Sequence, residues 1–93
     1  MSEYLSEEIW KDRINRSNVF FILGTEEYFK KAVLFEQSWY AKRKKKKFIV
    51  ALKKGAKIPE GFPIAGDAIK FVWDNQKDLV EKCRKAFEKY GMN

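Results

Sequence analysis

Histidine is absent from this chain of 93 residues, and cysteine occurs once, as Cys83. Zinc sites draw mainly on Cys and His, and Ser/His triads and Cys/His dyads need an imidazole. A single chain therefore cannot form any of these sites, and we expect no metal centre. One cysteine also excludes an internal disulfide, a pattern typical of a reducing cytoplasm, where we expect the protein to reside.

Long hydrophobic runs are missing as well. The apolar runs have the length of strands, whereas a membrane-spanning helix needs about 20 such residues. The amino-terminal sequence MSEYLSEEIWKDR is acidic and lacks the apolar segment of a signal peptide. Hydrophobic residues still make up 45% of the chain and aromatic residues 16%. This is enough for the core of a single domain over residues 1–93, so we expect neither disorder nor membrane insertion.

Hydrophobic periodicity predicts the order of helices and strands. Helical spacing covers roughly residues 3–15, 25–43 and 75–90. Unalternating apolar runs, typical of strands covered on both faces, occupy Val19–Leu23 and Phe48–Leu52, and Ala68–Trp73 is predicted to be a third strand. A long loop, Lys53–Asp67, joins the last two strands.

This order of elements predicts an α/β domain with right-handed crossovers. We expect a small three-layer, flavodoxin-like fold with a short parallel sheet of about three strands and three helices. One apolar face of the last helix is predicted to contain Leu79, Val80, Cys83, Ala86, Phe87 and Tyr90.

One carboxylate falls on the apolar side of the second predicted helix. On a helical wheel, Glu36 lies in the middle of a cluster formed by Phe29, Ala32, Val33 and Tyr40. A desolvated glutamate has a raised pKa that suits acid, base or nucleophilic chemistry. Alternatively, the residue lies beside a cleft at the carboxyl ends of the strands, or extends to a nearby lysine or arginine.

Most of the chain resembles a TIR (Toll/interleukin-receptor) domain. The stretch INRSNVFFILGTEEYFKKAVLFEQSWYAKRKKKKFIVAL is similar to the central part of that family. It contains Ile and Ser before an apolar strand, a short turn with Thr, a helix carrying a glutamate, and a second apolar strand. The segments KIPEGFP and AIKFVWDNQKDLVEKCRKAF resemble the family's last loop, strand and helix. The resemblance implies a TIR-like fold and a role as an interaction or nucleotide-binding module.

The resemblance also implies a role for Glu36. In catalytic TIR domains and the related nucleoside deoxyribosyltransferases, a helical glutamate acts at the ribosyl centre of an N-glycosidic bond. The matching residue here is Glu36, and the implied substrate is NAD or a nucleoside, cleaved in a site shared with a partner subunit.

A sheet edge is the second consequence of the resemblance. The family's first strand has no counterpart here, and it would lie beside the strand matching Val19–Leu23. That strand then becomes an apolar edge without the lysine or proline that usually protects one. We therefore expect a homodimer, or a protein partner, that covers the edge residues Val19, Phe20, Phe21, Ile22 and Leu23.

Basic residues outnumber acidic ones, 20 to 13, for a net charge of +7. Six of them are consecutive: Lys42, Arg43, Lys44, Lys45, Lys46 and Lys47. They either solvate the end of a helix and the approach to a strand, or contact a polyanion such as the phosphate backbone of nucleic acid, without sequence preference.

The carboxyl ends of the predicted strands contain a second group of candidates. Gly24 and Thr25 form a strand-to-helix turn, and Lys53 and Lys54 follow the next strand. These four residues are candidates for binding the phosphates of a nucleotide. Strand length separates them from Lys42–Lys47 by roughly 15–17 Å. A self-associating module is the favoured function, with Glu36-dependent hydrolysis or transfer and non-specific nucleic-acid association as alternatives.

Overall fold

A computed structural model of the chain describes residues 7–91. These residues form α1 (Glu7–Arg16), β1 (Val19–Gly24), α2 (Glu26–Phe29), α3 (Ala32–Arg43), β2 (Lys47–Lys53), β3 (Ile69–Trp73) and α4 (Gln76–Lys89). The predicted small α/β domain is confirmed. The expected start of the first helix, residues 3–6, lies outside the described residues.

The sheet is parallel, with the strand order β1-β2-β3. Its central strand, β2, contains the most deeply buried run of the chain, Phe48–Ala51, in which every residue has an exposed fraction of 0%. Such a run has no polar alternation because helices or loops cover both faces of the strand. β1 and β3 are consequently the two edges of the sheet within residues 7–91.

One face of the sheet carries the main core. The pairing of Ile22 with Val50 places both side chains on this face, together with Phe48. Trp10 of α1 packs against it, and so does Phe62 of the loop between β2 and β3. Both α1 and α3, as well as the long loop, therefore lie in one layer.

Among the helices of residues 7–91, α4 covers the opposite face. The ring of Phe87 stacks on that of Phe21 in β1, with centroids 6.3 Å apart. The hydroxyl of Tyr90 donates to the carbonyl oxygen of Phe48 at 3.0 Å, which fixes the end of the helix to β2. Val80 was expected on the buried face of α4, but it is 62% exposed, because the sheet covers a different side of the helix.

The predicted second helix is two helices. Thr25 caps α2 by accepting a hydrogen bond from the backbone N–H of Tyr28 at 3.1 Å. The chain leaves helical geometry at Lys31 and starts again at Ala32, so the described residues contain four helices rather than the expected three. The fully buried residues of α3 are Ser38 and Ala41, which face the sheet.

Candidate functional site

Glu36 is exposed, on the outer side of α3. It borders a groove of about 260 Å³ between α1 and α3. The other residues that line this groove are Glu7, Trp10, Lys11, Trp39, Tyr40 and Arg43. The alternative in which Glu36 is desolvated is therefore wrong, because its side chain is exposed. The alternative in which it lies beside a cleft agrees with its place at the groove between α1 and α3.

The groove beside Glu36 is charged. The ammonium of Lys11 lies 2.6 Å from a carboxylate oxygen of Glu7 and 5.3 Å from the centroid of the Tyr40 ring. The hydrogen bond with Glu7 raises the pKa of Lys11 above its ordinary value. Chemically, the groove offers solvated carboxylates and cations beside aromatic rings. It lacks the burial that tunes a glutamate for acid catalysis.

Gly24 and Thr25 have structural roles in the turn after β1. A Cβ atom at Gly24 would lie 3.1 Å from side-chain atoms of both Leu52 and Phe29, so close packing accounts for the glycine. The Thr25 hydroxyl is engaged as the cap of α2. Nucleotide binding at this turn stays a prediction.

Lys53 joins the carboxyl ends of two strands. Its ammonium donates to the carbonyl oxygen of Asp74 at 2.7 Å and lies 4.5 Å from the centroid of the Trp73 ring. The indole N–H of Trp73 in turn donates to the carbonyl oxygen of Ala51 at 2.9 Å. The side chain of Lys54 is exposed. Both lysines lie at the same end of the sheet as Gly24, as predicted, while their binding role stays a prediction.

The two edges of the sheet differ in charge. Along β3, Lys70 is exposed, and the ammonium of Lys82 donates to the carbonyl oxygen of Val72 at 2.7 Å. Lysines at an edge disfavour pairing with another chain. β1 contains only apolar residues and glycine, and no strand of residues 7–91 pairs with its outer side. The edge of β1 is thus the unprotected one.

An apolar strip lies next to this edge, on the face covered by α4. Leu23 is 40% exposed and Val80 is 62% exposed. Phe21 and Leu23 share a face of β1, and Val80 lies seven residues before Phe87, on the same side of α4. Because α4 runs back across the sheet, both exposed side chains lie toward the carboxyl end of β1. Phe21, Leu23, Val80 and Phe87 form the β1 strip.

The basic run lies at the amino end of the sheet. Within it, α3 ends at Arg43, and Lys44, Lys45 and Lys46 form its C-terminal cap. The N–H of Lys46 donates to the carbonyl of Ala41 and that of Lys45 to the carbonyl of Lys42. This is the Schellman pattern, with Lys45 at the left-handed position, φ 59°. Lys47 and Lys53 are the two ends of β2, so the run and the second group of lysines lie at opposite ends, as predicted.

The long loop is anchored in the core by a residue that sequence reasoning missed. Phe62 is 9% exposed, and its ring packs edge-on against that of Phe29 at 5.0 Å and that of Phe35 at 5.5 Å. Its sequence signal is weak: it is the one aromatic residue of the loop, between Gly61 and Pro63, in a segment without helical or strand periodicity.

Comparisons of the chain with protein-family models, with curated protein sequences and with solved structures found no match. The TIR resemblance therefore stays a prediction based on the residues quoted above. Within residues 7–91, no helix has the length and apolar character needed to cross a bilayer. The same residues contain no group of three or more Cys, Asp or Glu side chains that could hold a metal ion.

Proposed function

We propose that this chain is a protein-interaction module that forms a homodimer through the outer edge of β1. The observation that carries the proposal is the difference between the two edges of the sheet. The β3 edge carries Lys70 and the ammonium of Lys82, whereas β1 has an apolar sequence and no charged side chain. Edges without such protection are the ones that pair with another chain.

The backbone of β1 supplies the directional part of the contact. One side of the strand is bonded to β2, so the N–H and C=O groups of alternate residues point outward. Two β1 edges related by a two-fold axis run antiparallel and can exchange these hydrogen bonds. The result is one continuous sheet, and a two-fold contact closes the assembly at two subunits.

The β1 strip supplies the apolar part of the contact. Leu23 of the edge strand is 40% exposed, and the ring of Phe21, on the same face of β1, stacks on that of Phe87 of α4. Val80, on the same side of α4 as Phe87, is 62% exposed. In the dimer, the strips of the two copies lie on the same face of the joined sheet, on either side of the two-fold axis. Burial of this surface adds about 25 cal/mol for each Å² of apolar area removed from water.

A matched pair of lysine substitutions tests where the contact lies. Leu23→Lys places a charge on the β1 edge, and Val72→Lys places the same charge on the β3 edge, where the valine is 50% exposed. We expect Leu23→Lys to weaken dimerisation at least roughly tenfold, about 1.4 kcal/mol, since a buried unpaired charge opposes association. Val72→Lys should leave the dimer dissociation constant within about twofold of the wild type.

Sedimentation equilibrium measures both dissociation constants, and circular dichroism establishes that both variants are folded. Equal weakening by the two substitutions would show that charge alone, and not the β1 edge, controls association. A dimer unaffected by Leu23→Lys would place the interface elsewhere.

Glu36-dependent cleavage of an N-glycosidic bond is the second proposal. Its support is the position of the carboxylate at the margin of a groove that also contains Trp39 and Tyr40. The groove lies between helices of one chain, and the exposed carboxylate lacks a second group that would desolvate it. Self-association therefore has the broader support.

A further inference from the structure

The six basic residues that end α3 and lead into β2 are spread across the amino end of the sheet. The ammonium of Lys46 donates to the carbonyl oxygen of Asn15, at the end of α1, at 3.0 Å. The ammonium of Lys44 lies 5.4 Å from the centroid of the Tyr40 ring on α3. The ammonium of Lys47 lies 5.1 Å from that of Tyr90, at the end of α4. The charges thus extend from one helical layer across the sheet edge to the other layer.

Few negative charges oppose this group. Every ion pair among residues 7–91 joins residues four apart within a helix, and none includes Lys42–Lys47. Asp67 acts near this end, where burial and then the charge of Asp67 raise the pKa of Tyr90. Glu7 and Glu36 line the groove that Arg43 also borders. These carboxylates are fewer than the six cations and form no ion pair with them, so the surface keeps a positive potential.

The backbone at Lys45 has a costly conformation for a lysine. Its φ of 59° lies in the left-handed region, where glycine is usual and a side chain crowds the backbone. A glycine would end the helix at lower cost but would remove one of the consecutive charges. Lys45 therefore keeps a charge at a position where the backbone favours glycine.

The surroundings of the run favour a phosphate partner over an apolar one. Among residues 7–91, the exposed large hydrophobic residues are Ile9, Leu23, Phe35, Trp39, Val72 and Val80. Trp39 shares grooves with Lys42 and Arg43 on the outer side of α3, but none of the six lies within Lys44–Lys47 or in the neighbouring segment Ser17–Asn18. The surface around Lys44–Lys47 therefore consists of charged and polar side chains. Lysine ammonium groups bind phosphates as point charges, without the paired hydrogen bonds that read a base.

We propose that the amino end of the sheet, centred on Lys44, Lys45 and Lys47, binds the phosphate backbone of nucleic acid without reading its sequence. This inference is independent of self-association through β1, because the two surfaces share no residue. Neutralising phosphates releases counterions, so affinity must fall steeply as salt is added.

Two triple variants with the same net charge test the assignment. The test variant replaces Lys44, Lys45 and Lys47 with serine. The control replaces Lys31, Lys57 and Lys77, which are exposed and lie outside the amino-end surface, with serine. Each variant carries three fewer charges, so its net charge is 7 − 3 = +4. Lys46 is kept in both because it bonds to α1.

Fluorescence anisotropy with a short labelled DNA duplex measures binding as a function of salt. If about four lysines contact phosphates, wild-type affinity should fall roughly 100-fold between about 50 and about 200 mM salt. The test variant should lose most of this dependence, lowering the logarithmic slope by about 2–3, while the control keeps nearly all of it. Duplexes of two unrelated sequences should bind alike.

Three results would overturn the inference. The first is no measurable binding of wild-type protein to the duplex at low salt. The second is an equal loss in the test and control variants, which would assign binding to net charge rather than to this surface. The third is binding to phosphatidylserine vesicles without binding to DNA. Thermal melting of both variants establishes that each is folded.

Discussion

At the residue scale, Glu36 shows what a helical wheel can and cannot predict. Its neighbours on the wheel include Val33 and Tyr40, and the Tyr40 ring does pack against Trp10 at 5.7 Å. That contact is with α1, however, and it leaves Glu36 in solvent. The wheel predicts which residues share a side of a helix, but not which element covers that side.

The consequence for Glu36 is a small effect on both stability and turnover. Glu36→Gln should change the free energy of unfolding by less than about 0.5 kcal/mol, as is usual for an exposed residue without a special role. Wild-type protein and the variant should consume NAD at the same background rate, measured by chromatography. Glu60→Gln, at another exposed glutamate, is the control. NAD cleavage by the wild type that is lost only in Glu36→Gln would instead favour the enzyme.

Lys45 supports a prediction of the opposite kind, a gain in stability. Lys45→Gly should raise the free energy of unfolding by about 0.5–1 kcal/mol, because the relieved left-handed strain exceeds the entropy that glycine adds to the unfolded chain. Lys44→Gly is the matched control, since Lys44 has a φ of −83° and gains nothing from glycine. Urea denaturation should show that Lys44→Gly lowers the free energy of unfolding by about 0.5–1 kcal/mol. A loss of stability in Lys45→Gly would contradict the strain assigned to this position.

At the element scale, the strands were predictable and the helix break was not. Val19–Gly24 and Lys47–Lys53 contain runs of apolar residues, since a covered strand must be apolar at each position. No proline or glycine near Lys30 and Lys31 predicts the break between α2 and α3. The break allows α3 to pack separately from α2. In this packing Ser38 and Ala41 are buried, whereas Phe35 and Trp39 are exposed.

Phe62 is the most deeply placed large side chain of the loop between β2 and β3, and Ile58 and Ile64 pack against the same core. Phe62→Ala should lower the free energy of unfolding by about 3 kcal/mol, the usual cost of removing a buried phenylalanine ring. Glu60→Ala, an exposed position in the same loop, should cost less than about 0.5 kcal/mol. Chemical denaturation of the two variants tests this. If Phe62→Ala were as mild as its control, the loop would not be part of the core.

At the scale of the whole molecule, the fold separates two surfaces of different chemistry. The amino end of the sheet carries lysines that form no ion pair with a carboxylate of residues 7–91. The outer edge of β1 carries no lysine. Sequence pattern predicted both features separately, as an apolar strand and a basic run. Their arrangement depends on strand order, which places β1 at an edge and Lys47 beside Val19. That order came from the family resemblance and not from the residues themselves.

The mass of the wild-type protein in solution tests the central claim most directly. Sedimentation equilibrium over a range of concentrations should show a reversible rise from the 11.1 kDa of one chain to twice that value, and no further. A plateau at two subunits is what a two-fold contact between β1 edges predicts. A constant 11.1 kDa up to concentrations on the order of 100 μM, where a contact of at least about 5.5 kcal/mol would be visible, would contradict self-association through this edge.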